Sequence, residues 1–267
     1  MTKAPTAHLT VEQFTEKIAA YQRTRLIFYV EHQGRRLAFW TPNLFCLWRA
    51  QTMMSKEPIT ISWLDSLPEG GTLLDIGANV GTYSIYAGVM RNARVFAFEP
   101  EASNYAVLCE NIAVNHLSDR AIAWCAALSD AAKIDRIYLS ERQTGGSCHS
   151  FGEKVDAHLR EVSFPHSQGA ISTTIDTLVD SGVISAPDYI KIDVDGIEHK
   201  IIRGAQKTLA NPHVRSLLIE INSNLPEHRE IIANLEHFGF KHDPKQFDTA
   251  KRTEGFFAGV GEYVFRR

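Results

Sequence analysis

The sequence predicts an α/β chain: a doubly wound, mostly parallel sheet preceded by a smaller α+β appendage. Three observations predict it. Beyond a break at Pro68-Glu69-Gly70-Gly71, apolar strand-like runs alternate with helical patterns, the signature of a parallel sheet covered by helices on both faces. The first of those strands runs directly into a glycine-bearing turn, DIGANVG at 75–81, that opens a helix. The 267-residue chain, 44% apolar and 22% charged, is ordinary globular composition and long enough to bury the core such a fold needs.

The elements follow in order. Thr10-Val11-Glu12-Gln13 forms a capping box and Leu9 with Phe14 stands at staple spacing, so a helix over 9–21 should carry Phe14, Ile18 and Tyr21 on one face. The runs LIFYV (26–30) and RLAFW (36–40), parted by His32-Gln33-Gly34, read as a hairpin. A short helix through Leu44, Leu47 and Trp48 and another around Ile59 to Leu67 complete the appendage, residues 1–67. The main domain, 68–267, opens with strand TLLDIG (72–77) and a helix from Gly81 to Met90. RVFAFEP (94–100) is its second strand, followed by a helix bearing Tyr105, Leu108 and Ile112, and AIAWCAALS (121–129) is the third. Residues 130–174 break the rhythm with IYLS, Gly145-Gly146 and VSFP, an inserted hairpin whose glycine-rich loop is placed to act as a mobile lid. DYIKIDVDG (188–196) is the fourth strand, with a helix carrying Ile197, Ile201, Ala205 and Leu209 after it. RSLLIEIN (215–222) is the fifth, and its helix holds Ile231, Leu235 and Phe238 before Gly239. FKHDPKQFD and GEYVFRR read as a closing antiparallel pair.

Composition removes several function classes. The net charge of -3 and the lack of any basic run longer than Arg35-Arg36 or Arg266-Arg267 give no footprint for a nucleic-acid backbone. No stretch reaches the roughly 18 to 20 apolar residues of a membrane span, and MTKAPTAHLTVEQF lacks a signal-peptide core, so a cytoplasmic protein is expected. Cys46, Cys109, Cys125 and Cys148 are scattered, without CxxC, and are read as reduced thiols. Homo-oligomerisation stays open.

The glycine turn is the first chemical signal. Gly77 and Gly81 let backbone approach a ligand at a helix N-terminus, and Glu99 ends the next strand 18 residues after Gly81, where such folds place the acid that binds a ribose diol. A nucleoside cofactor is implied. Asp75 at the loop mouth would repel a pyrophosphate and the GxGxxG spacing is missing, whereas the ammonium and sulfonium of S-adenosylmethionine suit a carboxylate. Asp75 merely capping the helix is the plainer alternative.

DIGANVGTYS, FEP, ALSD, TTIDTL, IKIDVDGIEHKIIRGA and LLIEIN, in that order over about 70–240, resemble the FkbM family of S-adenosylmethionine-dependent O-methyltransferases. The resemblance implies a class I methyltransferase Rossmann-like fold with a seven-stranded sheet. It also implies cofactor roles for Asp75, Gly77, Asn79, Gly81 and Glu99, and an adenine-facing role for Ala126 to Ser129, with Ala127 at its centre. It implies acceptors among sugars, glycans and polyketide-type natural products, bound with help from the appendage and the insert. A catalytically silent binding protein of this fold and a nucleotide-dependent oxidoreductase are the rival readings.

Alternation puts Lys191, Asp193 and Asp195 on one face of the fourth strand, three charges where a central strand is normally apolar. Asp193 is the expected base for an acceptor hydroxyl, with Lys191 as its partner or as an acceptor-site group. His199 is the best-placed imidazole, ahead of His149 and His166. Alternatively Asp193, Glu220 and Asn222 supply oxygen ligands for a magnesium or manganese ion that acidifies the hydroxyl; Ile221 between Glu220 and Asn222 favours the metal-free route. Glu198 reads as a helix cap, and Trp40, Trp48 and Trp63 as core or as a sugar platform.

Overall fold

The computed structural model describes residues 9–267. Helix α1 (Val11–Arg23) starts at the expected capping box, with Thr10 Oγ1 accepting from Gln13 N and Gln13 Oε1 from Thr10 N. Its apolar face is exposed, Phe14 and Ile18 being about half accessible. Strands β1 (Ile27–His32) and β2 (Arg35–Trp40) form the hairpin, turned by Gln33 and Gly34 at φ 47° and 74°, both in the left-handed region that a tight hairpin requires. Helices α2 (Leu44–Lys56) and α3 (Pro58–Asp65) follow; Asn43 caps α2 through Cys46 N at 2.8 Å.

The next elements in chain order are β3 (Thr72–Ile76), α4 (Thr82–Met90), β4 (Arg94–Phe98), α5 (Ala102–Val114) and β5 (Ala121–Trp124). The insert supplies β6 (Ala127–Leu128), β7 (Lys133–Leu139), β8 (Ser150–Phe151) and β9 (His166–Thr173), and α6 (Ile175–Asp180) leads back. The chain ends with β10 (Tyr189–Ile192), α7 (Glu198–Arg203), α8 (Gln206–Ala210), β11 (Ser216–Asn222), α9 (Pro226–His237), β12 (Lys241–His242), α10 (Pro244–Ala250) and β13 (Val260–Arg266).

Seven strands form the main sheet in the order β5-β4-β3-β10-β11-β13-β12, parallel except for β13. This is the class I methyltransferase order, and it reverses direction between β3 and β10, the switch point where such sheets bind ligands beyond their strand ends. Leu74, Ile76, Ile190, Ile192, Leu217 and Ile219 fill one face of the sheet. Leu73, Val95, Ala97 and Leu218 fill the other, together with Leu37, Phe39, Met53, Trp63 and Leu64 of the appendage. The N-terminal segment therefore shares the main core. Trp40 N and Ala38 N donate to the side chains of Asn111 on α5 and of Asn115 at its C-terminal cap, and Trp63 Nε1 donates to Ser216 Oγ at 2.8 Å.

Three expectations change. The third strand stops at Trp124, and Ala127–Leu128 peel off to pair with β9 in a second sheet ordered β6-β9-β7-β8. The single helix expected after the fourth strand is broken at Gly204, where a Cβ would stand 2.2 Å from the Ser129 carbonyl; that close approach divides it into α7 and α8. Of FKHDPKQFD only Lys241–His242 is strand, because Asp243 caps α10 by accepting from Lys245 N at 2.9 Å.

Candidate active site

Two cavities open at the switch point and share Gly77, Asn79, Ser147, Asp193 and Asp195. The first runs over the ends of β3 and β4. Its walls are Phe98, Ala126, Ala127, Leu128, Ile137 and Ile197, with Glu99 at one side. An apolar slot with Glu99 at one side, and Asp193 and Asp195 only at the end it shares with the second cavity, suits an adenine and a ribose diol. Glu99 is 5% exposed; its Oε2 accepts from Asn79 N at 2.8 Å and its Oε1 from Glu101 N at 2.9 Å. Burial pushes its carboxyl up to about 7, against those two amides. The slot has room for 70 Å³, below the roughly 300 Å³ at which ligand pockets begin.

Ser147 and His149 line the slot and belong to the loop that runs through Gly145 and Gly146, which forms its roof. Rather than hanging free, the loop is tied to four parts of the fold: α2 and its cap, the turn after β3, α5 and the turn after β10. Asn43 Nδ2 donates to Thr144 O at 2.9 Å, Arg49 Nε to Gly145 O at 2.5 Å and Asn79 Nδ2 to Gly146 O at 2.7 Å. Gly145 N donates to Asn104 Oδ1 at 2.6 Å and Cys148 N to Asp195 Oδ2 at 2.8 Å. His149 lines the first cavity; His166 is exposed on β9.

The second cavity, 420 Å³, lies between α2 and the ends of β10 and β11. Charges of both signs line it: Arg49, Lys56, Lys191 and Arg252 against Glu57, Asp193, Asp195 and Glu220. Trp48, Tyr83 and Phe257 supply aromatic surface. Trp40 and Trp63 instead pack in the core.

The charged pairs are ordered. Lys191 Nζ, on a side chain only 2% exposed, lies 2.9 Å from Asp193 Oδ2 and 5.2 Å from the centre of the Tyr83 ring. Burial opposes its charge, but Asp193, Asp75 and Glu57 outweigh that and hold the ammonium above its ordinary value. Burial likewise opposes ionisation of Asp193, and Lys191 overcomes it, so its carboxyl titrates below the usual range. Asp195, with backbone at φ 61°, is pushed up to about 6 by burial and by Asp193. Glu198, 1% exposed, holds this turn by accepting from Val194 N and Gly196 N at 3.3 and 3.1 Å. His228 Nε2 donates to Gly196 O at 2.9 Å while its Nδ1 accepts from Asn222 N.

Several expected roles are corrected. Asp75 is 1% exposed and lines neither cavity. Its Oδ2 accepts from Ser84 Oγ at 2.6 Å, and it lies opposite Lys191 in the register of β3 and β10. It therefore supports Lys191 from beneath, and burial raises its carboxyl. Gly81 starts α4 at φ 85°, and a Cβ there would meet Leu108 at 2.4 Å; its place is against α5, not the cavity. Gly77 is required at the site: at φ 75° its missing Cβ would fall 1.9 Å from Asp193 O. His199 points to His228, ring centres 6.0 Å apart, and lines neither cavity, which removes it as the base; burial drives its imidazole down to about 4.

The metal set does not fit. Asn222 is 2% exposed and spends its side chain on Asn224 N and His158 Nδ1. Glu220 is paired with Arg252 at 2.8 Å, and Asp193 with Lys191. Among the described residues no group of three or more His, Cys, Asp or Glu side chains is arranged to hold an ion.

Sequence reasoning missed Arg49, Lys56, Glu57, Tyr83 and Arg252. Arg49, Met53 and Lys56 recur at helical spacing along α2, and Trp48 with Thr52 beside them, so the α2 signal was present. Arg252 sits in the crossing from α10 to β13, where no periodicity marks it.

Residues 75–242 match the model of the methyltransferase FkbM domain, more than half of the chain. The chain belongs to the FkbM methyltransferase family. It is 26% identical over 196 residues to hexuronic acid methyltransferase AglP of Haloferax volcanii, covering 73% of this chain and 74% of that one. It is also 26% identical over 198 residues to 31-O-demethyl-FK506 methyltransferase FkbM of Streptomyces tacrolimicus, covering 65% and 74%. A solved methyltransferase FkbM from Methylobacillus flagellatus aligns with a TM-score of 0.46 at 15% identity, covering 75% of this chain and 44% of that one. As an FkbM member the chain is an S-adenosylmethionine-dependent methyltransferase, which displaces the oxidoreductase and silent-binder readings. Among the described residues no helix is long and apolar enough to cross a membrane.

Proposed function

We propose that this FkbM methyltransferase methylates a hydroxyl of a carbohydrate acceptor seated in the second cavity. The observation that carries the reading is the meeting of the two cavities at Asp193. One is an apolar slot with a ribose-binding carboxylate; the other is lined by interleaved charges and aromatic rings. Sugars present hydroxyls to charged hydrogen-bonding groups and a C–H face to aromatic rings. A largely apolar polyketide would leave those charges desolvated and unmatched. The hexuronic acid named for the AglP relative points the same way.

When bound, S-adenosylmethionine supplies an electrophilic methyl group for direct displacement by the acceptor oxygen. The chain's work is alignment and proton removal. Glu99 fixes the ribose, Ala126 to Leu128 with Phe98 and Ile197 enclose the base, and Gly77 keeps the strand ends close. Asp193, held ionised by Lys191, takes the hydroxyl proton. A low carboxyl pKa suits this task, because the proton becomes strongly acidic only as the oxygen acquires the methyl group. Helix α2 forms the outer wall through Trp48, Thr52 and Lys56. No step needs a metal ion.

Labelled methyl transfer to neutral glycosides, glycuronides and macrolactones tests the acceptor class. Trp48→Ala should raise the acceptor KM about fivefold, the scale of one lost aromatic contact, without changing affinity for S-adenosylhomocysteine. Transfer only to macrolactones would refute the carbohydrate reading.

A further inference from the structure

Four cations face the second cavity, and three have carboxylate partners. Lys191 lies 2.9 Å from Asp193, Lys56 2.7 Å from Glu57 and Arg252 2.8 Å from Glu220. Among the described residues Arg49 has no carboxylate within salt-bridge distance. Its guanidinium is fixed on one edge, where Nε donates to Gly145 O at 2.5 Å, and among the described residues neither terminal nitrogen has a hydrogen-bond partner. Arg49 lines the second cavity together with Gly77, Asn79, Asp193 and Asp195, all four of which also line the slot that holds Glu99, so its charge stands beside the junction of the two cavities.

S-adenosylmethionine brings a complementary problem. Its ammonium and sulfonium are welcome among Asp193, Asp195 and Glu220, but its amino-acid carboxylate is repelled by the same groups and needs a cation. The fork of an arginine matches a carboxylate by two parallel hydrogen bonds. We propose that Arg49, from helix α2 of the N-terminal segment, binds the carboxylate of the cofactor's methionine moiety. The inference rests on the cofactor assignment above and gives the N-terminal segment a part in cofactor binding as well as in the acceptor wall. Because Arg49 also holds Gly145, its carboxylate contact joins the roof loop to cofactor occupancy.

Two ligands separate this role from a structural one. S-adenosylhomocysteine carries the carboxylate; 5′-methylthioadenosine keeps the adenosine and sulfur but lacks the amino-acid end. Calorimetry on wild type, Arg49→Gln and Arg49→Lys should show Arg49→Gln losing about 10-fold to 100-fold for S-adenosylhomocysteine, the scale of hydrogen bonds to a charged group. Affinity for 5′-methylthioadenosine should stay within about twofold, and Arg49→Lys should recover part of the loss. Equal losses for both ligands would assign Arg49 to holding the loop and overturn the proposal, as would no loss for either. A raised KM for a carboxylate-bearing acceptor with unchanged S-adenosylhomocysteine affinity would assign the guanidinium to the acceptor's carboxylate instead. If wild type binds neither adenosine ligand, the cofactor assignment fails first, which is a distinguishable outcome.

Discussion

Replacing Glu99 by glutamine perturbs one buried carboxylate whose surroundings are fully described. Its two oxygens accept from Asn79 N and Glu101 N at 2.8 and 2.9 Å, and each keeps a lone pair for one hydroxyl of a ribose diol. A diol donates its protons, so it binds the ionised carboxylate. Because burial pushes the group up to about 7, affinity for S-adenosylhomocysteine should rise with pH through that value. Below it, affinity should weaken about tenfold per pH unit. For the empty protein the sign is opposite: a carboxyl raised in the folded state favours the protonated form, so its contribution to stability falls as pH climbs from 4.5 towards about 7. Cofactor product, by capturing the ionised form, should offset that fall. Glutamine keeps one acceptor oxygen and turns an NH2 toward an N–H donor, so we expect a loss of about 2 kcal/mol, about thirtyfold in affinity. Calorimetry from about pH 5.5 to 8.5 on both proteins should show a slope in wild type and a flat line in Glu99→Gln. A flat wild-type profile would refute the reasoning. An identical slope in the variant would move the ionisation to Glu198 or Glu262, which burial also pushes to about 7.

Three further outcomes follow from the same geometry. Gly77→Ala should cost more than about 3 kcal/mol of stability, since its Cβ would overlap Asp193 O at 1.9 Å; an unchanged melting temperature would contradict the close approach of β3 and β10. Amide exchange over 143–149 should slow on binding S-adenosylhomocysteine, because Ser147 and His149 of that loop line the slot; equal exchange in both states counts against a moving roof. Treatment with a chelator should leave turnover intact, since Asn222 is committed elsewhere and Glu220 and Asp193 have cationic partners; activity lost and then restored by magnesium or manganese would reverse that conclusion.

The alternation of strands and helices was legible because each parallel strand is buried on both faces and each helix on one, so periodicity reports burial directly. The polar face of the fourth strand was equally legible, since Lys191 and Asp193 stand out in an apolar run. Roles that depend on which way a side chain turns were not. Asp75 reads as a cavity residue by its place before the glycine turn, yet the strand pleat aims it at Ser84 beneath Lys191. His199 reads as the best-placed imidazole at a helix start, yet α7 presents it to His228. Glu220 and Asn222 seem a ligand pair in sequence, and strand alternation does put them on one face, but Glu220 is taken by Arg252 and Asn222 by Asn224 and His158. Arg252 and the Gly145 carbonyl reach the site through long-range contacts that no local pattern encodes.

The central claim is that oxygen methylation takes place where the two cavities meet, with Asp193 as proton acceptor. A single-turnover experiment with methyl-labelled S-adenosylmethionine at saturation and a glycoside acceptor, comparing wild type with Asp193→Asn, tests it most directly. An asparagine oxygen can still accept from Lys191, so the fold and the affinity for S-adenosylhomocysteine should hold. Label should appear on a sugar oxygen in wild type, and the rate should fall by about 10² to 10⁴ in the variant. Undiminished transfer by Asp193→Asn, or label found on nitrogen or carbon, would contradict the account.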